Sequence, residues 1–302
     1  MKHLFIFNGL SLKKQSEKKL TKQIEVACAD RDFEIFISKT ATDGYEKAAA
    51  AAASGEEICI YAAGGDGTVH QIAEAIYGHP NASLSALPIG TGNDFVRNFA
   101  PERDFLSLSQ VTDGVTKPVD MIDLGTQKCI NMINIGFDES VVSRVASLRR
   151  FPLMSKSIAY TIGVIIQLIR FPQEELCITF EDGTCYKGKC LLTYVANGKF
   201  CGGGYKAASR AETDDGMMDV MIVRPVSRLQ FIRMVGKYKK GTLIGSPQCE
   251  KIAVVKQTRH LTIEKDTPFR YCLDGEIFSA EKLRLSILPK CIHFTYPKGD
   301  KI

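Results

Sequence analysis

The stretch Ala62-Ala63-Gly64-Gly65-Asp66-Gly67-Thr68 constrains this chain most, because it must join a buried strand to a helix through three glycines and a carboxylate. Ahead of it, Ile58-Cys59-Ile60-Tyr61 has the length and apolar character of an interior strand of a parallel sheet. Behind it, Val69, Ile72, Ala73 and Ile76 recur at i, i+3, i+4 and i+7, one face of a helix. Glycine at such a junction permits positive φ and close approach of a ligand, and the first amides of a helix lack intrahelical partners. Together these attract phosphate. Asp66 conflicts with that picture, since a carboxylate beside a phosphate repels it unless a cation lies between them. The stretch is therefore either a metal-assisted phosphate site or a glycine-rich turn with a solvated Asp.

The 302 residues suffice for two ordinary domains, and 45% hydrophobic with 24% charged residues excludes a disordered or membrane-spanning chain. The apolar part of the N-terminus, Leu4-Phe5-Ile6-Phe7, is too short for a signal peptide and reads as a first strand. Ten cysteines without a C-x-x-C pair, most of them in apolar patterns such as Cys28, Cys59, Cys177 and Cys272, predict reduced, buried thiols in a cytoplasmic protein. The net charge of +5 does not call for nucleic acid. Local basic clusters at Lys13, Lys14, Lys18 and Lys19, at Arg149 and Arg150, and at Lys237, Lys239 and Lys240 are either solvated faces or contacts to an anionic surface.

Strand patterns at 4–7, 33–37, 58–62 and 85–88 alternate with helix patterns at 16–29, 42–54 and 68–77, a doubly wound Rossmann-like α/β arrangement with ligands beyond the carboxyl ends of the strands. His70, just inside the third helix, reads as part-exposed and without a role. Near residue 125 the pattern changes to a mostly antiparallel, β-rich one, expected to form a β-sandwich. Its strands lie at 191–195, 218–223, 252–255, 260–263 and 283–288. Hairpin turns are expected at Glu181-Asp182-Gly183-Thr184, Glu264-Lys265-Asp266-Thr267 and Leu273-Asp274-Gly275-Glu276. Two helical inserts are expected at 138–150 and 156–170; the second either covers a sheet, or walls an acyl-chain cleft or faces a membrane. The domains are thus 1–125, with the tail 290–302 returning to it, and 126–289.

Three loops combine glycine with an acid: Gly64 to Thr68, Gly90-Thr91-Gly92-Asn93-Asp94, and Asp274-Gly275-Glu276. No Walker-type loop is present, and no G-x-G-x-x-G opens a helix. The combination resembles the diacylglycerol kinase catalytic family of soluble lipid kinases, related to sphingosine kinases, over almost the whole chain. The first loop is shared with NAD kinases and phosphofructokinases, whereas the pair, with Pro88 to Arg97 as second signature, is specific. The resemblance implies an ATP site formed by Asn8, Gly9, Thr40, Gly64, Gly65, Asp66, Gly67, Thr68, Gly90, Thr91, Gly92 and Asn93. The family usually has Asn-Pro where this chain has Asn8-Gly9.

The same resemblance implies that Asp66, Asp94 and Asp123 hold the catalytic Mg²⁺, through water or directly, and that Asp274 is the general base on a lipid hydroxyl. It also places a structural Mg²⁺ on Glu212, Asp215 and the carbonyl of Met217. Gly202-Gly203-Gly204 is either a turn or a loop beside the acceptor. The expected activity is ATP- and Mg²⁺-dependent phosphorylation of a lipid such as diacylglycerol, with peripheral contact at the inner membrane face and a homodimer compatible with the reading. The alternatives are an NAD kinase-like phosphotransferase and a catalytically silent lipid-binding protein.

Overall fold

A computed structural model describes residues 1–10, 14–137, 139–141, 166–167 and 170–298. The two expected helical inserts lie largely outside these residues, as do Lys13, Arg149 and Arg150. The chain divides into two compact units, Met1–Met121 with Pro289–Ile302, and Ile122–Leu288.

The first unit alternates β1 (Lys2–Phe7), α1 (Lys14–Ala27), β2 (Phe33–Ile37), α2 (Asp43–Ala53), β3 (Ile58–Gly64), α3 (Asp66–Ile76) and β4 (Ala82–Pro88). Short helices α4 (Glu102–Phe105) and α5 (Leu108–Thr112) precede β5 (Val115–Asp123). The strands pair in parallel in the order β4-β3-β1-β2. Helices on a parallel sheet cover both its faces, which is why Leu4, Phe5, Ile6 and Phe7 are all buried and the run does not alternate. The apolar face expected of α3 is buried, and so is His70, contrary to expectation. Gly64 pairs with Pro88, so β3 and β4 end level and their following turns emerge side by side.

The second unit contains β6 (Lys128–Cys129), β7 (Met132–Gly136), β8 (Glu174–Phe180), β9 (Cys185–Cys190), β10 (Leu192–Ala196), β11 (Met218–Val223), α6 (Arg228–Lys240), α7 (Pro247–Ile252), β12 (Ala253–Thr258) and β13 (His260–Leu273). The last strand, β14 (Glu276–Tyr296), begins here and ends in the first unit. Its final part runs parallel to β4, with Phe294 opposite Leu84 and packed on the rings of Phe95, Phe99 and Phe105.

Glu264 to Thr267 is not a hairpin turn, because β13 runs through it. None of these residues has the positive φ that a tight hairpin needs, and their charges are taken up by neighbours, Lys265 by Glu174 and Glu264 by Lys282. The segment is instead an irregularity at which register shifts between Glu264 and Phe269. Before it β13 pairs with β8, and after it with β7, so one strand serves two layers. Ile133, Ile135, Val195, Val220 and Ile222 meet Leu176, Ile178, Leu261, Ile263 and Leu285 between those layers. The opposite face of β10 and β11, with Tyr194, Met221 and Val223, is covered by Phe231, Met234 and Tyr238 of α6. The cysteines depart from expectation where Cys185 is exposed and Cys177 and Cys291 are only half-buried; the Sγ atoms of Cys177 and Cys185 lie 3.5 Å apart across β8 and β9.

Candidate active site

At the carboxyl end of β3, Gly65 caps α3 in extended geometry and Asp66 is the first helical residue. The glycines of the two phosphate-type turns do not take the positive φ that glycine permits. They are needed for contact. A Cβ on Gly64 would lie 2.1 Å from Thr68 Oγ1, one on Gly90 2.3 Å from the Cα of Gly65, and one on Gly92 2.5 Å from Asp66 Oδ2. The left-handed position in the second turn falls to Asn93 (φ 53), a residue type that tolerates it. The Asn93 amide donates to the carbonyls of Pro88 and Gly90 and to Glu102 Oε2, at 3.2, 3.3 and 2.8 Å. Ile89 and Gly90 donate their N–H groups to the Gly64 carbonyl, each at 3.0 Å.

Asp66 has a partner that no local pattern announces. Its Oδ1 accepts the N–H of Asp94 at 2.6 Å and that of Phe95 at 3.2 Å. Its Oδ2 and that of Asp94 lie 2.5 and 3.3 Å from the point where a Cβ on Gly92 would sit, so two carboxylate oxygens converge there. Among the described residues no group of three or more His, Cys, Asp or Glu is arranged to hold a metal. The two acids suit a hard cation that keeps waters or takes phosphate oxygens as its other ligands. Asn8 joins the cluster by donating to Thr68 Oγ1 at 3.2 Å. Gly9 packs on the next strand end, where a Cβ would meet the Ser38 carbonyl at 2.3 Å, which accounts for glycine there. Thr40 bonds Asp43 at the start of α2, and Thr91 is exposed.

Asp123 and Asp274 belong to the second unit. Asp274 and Gly275, with φ of 47° and 98°, form the turn between β13 and β14. The Asp274 carboxylate is buried and accepts the N–H groups of Ile130, Asn131 and Met132 at 2.8, 3.1 and 2.9 Å, and the Cys129 thiol at 3.1 Å. Burial, with Asp274 adding to it, pushes that thiol well above its ordinary range. Asp123 accepts the N–H of Gly125 at 3.1 Å.

In the acidic loop, Glu212 pairs with Lys199 at 2.8 Å and Asp215 accepts the N–H of Met217 at 3.0 Å. Asp219, which carries no assigned role, is pushed up to about 6, chiefly by burial, with Asp215 and Glu212 contributing to the rise. Gly202, Gly203 and Gly204 all have positive φ between the mutually bonded Cys201 and Tyr205, so a tight turn alone requires them.

A family model described as the diacylglycerol kinase catalytic domain matches residues 2–124, and one described as the YegS C-terminal NAD kinase beta sandwich-like domain matches residues 131–296. A Pseudomonas aeruginosa protein named "probable lipid kinase YegS-like" is 29% identical over 248 residues, covering 80% of this chain and 78% of that one. A Pseudomonas syringae protein of the same name is 26% identical over 291 residues, covering 94% and 92%. The crystal structure of a diacylglycerol kinase from Bacillus anthracis superposes with a TM-score of 0.70 at 20% identity, covering 98% and 96%. An NAD kinase from Archaeoglobus fulgidus in complex with ATP gives 0.51 at 12% identity, covering 99% and 94%. These two superpositions bear on the fold alone. With both parts matched in order, the chain belongs to the diacylglycerol kinase catalytic family of lipid kinases and carries the YegS-type C-terminal domain.

Proposed function

We propose that the protein is an ATP- and Mg²⁺-dependent kinase that transfers the γ-phosphate to the hydroxyl of a lipid such as diacylglycerol. The reading rests above all on the contact between the two turns, which sets helix-start amides beside the paired oxygens of Asp66 and Asp94. Amides suit phosphate oxygens, and the carboxylates suit the cation that accompanies them. Bound Mg²⁺ supplies charge neutralisation at the phosphate oxygens. Asp66 and Asp94 would hold it, with Asp123 acting through water.

In the transfer, the acceptor oxygen forms a bond to the γ-phosphorus as the bond to the β-phosphate oxygen breaks, and the hydroxyl proton passes to Asp274. Asn8, Gly64, Gly65, Gly67, Thr68, Gly90, Gly92 and Asn93 would line the phosphate side, and Gly9, Thr40 and Thr91 its margins. Glu212, Asp215 and the Met217 carbonyl would hold a second, structural Mg²⁺. The protein would act peripherally at the cytoplasmic face of a membrane; among the described residues no helix is long and apolar enough to cross one.

The test is a panel of lipid alcohols, with NAD in parallel, incubated with the purified protein, Mg²⁺ and γ-labelled ATP. Label in a lipid phosphate is the expected result. Label in NAD alone, or in no acceptor, would overturn it.

A further inference from the structure

Helix α6 is fixed to its unit by Phe231, Met234 and Tyr238, and both of its ends are capped. Ser227 and Gln230 form a reciprocal capping box, and Gly241 closes the other end in left-handed geometry. The face pointing away carries Leu229, Ile232, Arg233, Gly236, Lys237 and Lys240 at helical spacing, all exposed. Leu229 and Ile232 are 57% and 56% exposed, near the amino end, while the lysines gather at the carboxyl end. A Cβ on Gly236 would meet nothing within 4 Å, so internal packing does not ask for a glycine that weakens the helix. The helix holds five basic residues and no acid. Two of these lie against rings of their own unit, Arg228 over Phe171 and Lys239 over Tyr205; the other three belong to the outward face.

We infer that this outer face of α6 docks the protein on an anionic phospholipid surface. Exposed Leu and Ile reach the acyl boundary while a lysine-rich flank meets the headgroups, the division of labour of an interfacial helix. Lysine is depleted at the centre of protein–protein interfaces, which weighs against a protein occupant. At a negatively charged surface each basic residue strengthens binding about fivefold. Gly236, without a side chain, lets headgroups approach the helix backbone. The inference rests on the lipid kinase reading and names the face through which that substrate is approached.

The experiment uses the full chain and two variants, Leu229→Glu/Ile232→Glu and Arg233→Gln/Lys237→Gln/Lys240→Gln. Each is sedimented with vesicles of phosphatidylglycerol and phosphatidylcholine, or of phosphatidylcholine alone, and assayed on a water-soluble short-chain lipid alcohol. Wild type binds the anionic vesicles, and the triple variant loses on the order of a hundredfold in affinity. The double variant also fails to bind, and both keep wild-type circular dichroism and short-chain turnover. Variants that sediment like wild type, or a wild type indifferent to phosphatidylglycerol, would overturn the docking face while short-chain turnover upholds the kinase. Docking without turnover on any lipid would leave the face standing and remove the kinase reading. Self-association in ultracentrifugation that the double variant abolishes would give the face to a second copy and overturn the proposal.

Discussion

Asp66 Oδ1 accepts the backbone N–H of Asp94 at 2.6 Å, so the carboxylate of one glycine turn fixes the position of the acid in the other. Asp66→Ala should cost about 1–3 kcal/mol of stability, because two N–H groups lose their acceptor, and should abolish transfer. Asp66→Asn keeps an acceptor oxygen and should stay within about 1 kcal/mol of wild type while losing transfer by on the order of a hundredfold or more. Denaturant unfolding alongside ATP turnover separates the two; equal destabilisation by both variants would contradict the hydrogen-bond assignment.

Gly90→Ala should be the more damaging of two matched substitutions. Its Cβ would lie 2.3 Å from the Cα of Gly65, whereas the Cβ of Gly65→Ala would lie 3.2 Å from the Cα of Gly90. Overpacking of the first kind costs about 1–3 kcal/mol and should push the turns apart, weakening nucleotide binding. Titration calorimetry with ATP ranks the pair, and a Gly65→Ala variant worse than Gly90→Ala would contradict the geometry.

Asp274→Asn tests two roles at once. The amide tolerates the left-handed φ but turns one acceptor oxygen into a donor facing backbone N–H groups, so stability should fall by about 1–3 kcal/mol. If the carboxylate is also the base, transfer should vanish while nucleotide affinity survives. Turnover near wild type removes the base; an unchanged melting temperature removes the anchor.

His3 should make the protein sensitive to mild acid. It is buried with Nδ1 2.8 Å from the Tyr61 hydroxyl, and burial, with Arg31 and the N-terminal amine, holds its pKa below the usual 6.5. The unfolded chain therefore binds this proton more tightly than the native state. The stability involved is complete above pH 6.5 and declines as pH falls below it. Unfolding free energies at pH 7.5 and pH 5 should differ more for wild type than for His3→Gln; equal differences would count against the assignment.

The parallel strands and the two turns could be read from the sequence because each rests on local chemistry, an apolar run followed by glycine. The link from Asp66 to Asp94 could not, since a hydrogen bond across 28 positions leaves no periodicity. Glu264 to Thr267 looked like a turn because its residues are polar, yet ion pairs with residues far along the chain keep it extended. The β14 strand was read only in pieces because its apolar alternation breaks at Pro289 and at Lys290, which takes positive φ and donates its N–H to Asp120. Helix α6 is hard to read from the sequence although Ser227, Gln230 and Gly241 announce its ends, because three lysines in its last turn hide the narrow apolar stripe.

The course of β14 has a consequence for biosynthesis. Phe294 fills the aromatic cluster beside β4, but a ribosome makes it only after the whole of the second unit. Until then the early-made part carries a gap where Phe95, Phe99 and Phe105 await their partner ring, together with an unpaired edge on β4. Folding of the earlier-made unit is thus completed by a strand made only after the second unit, and nascent chains stopped short of residue 293 should be the ones that chaperones retain.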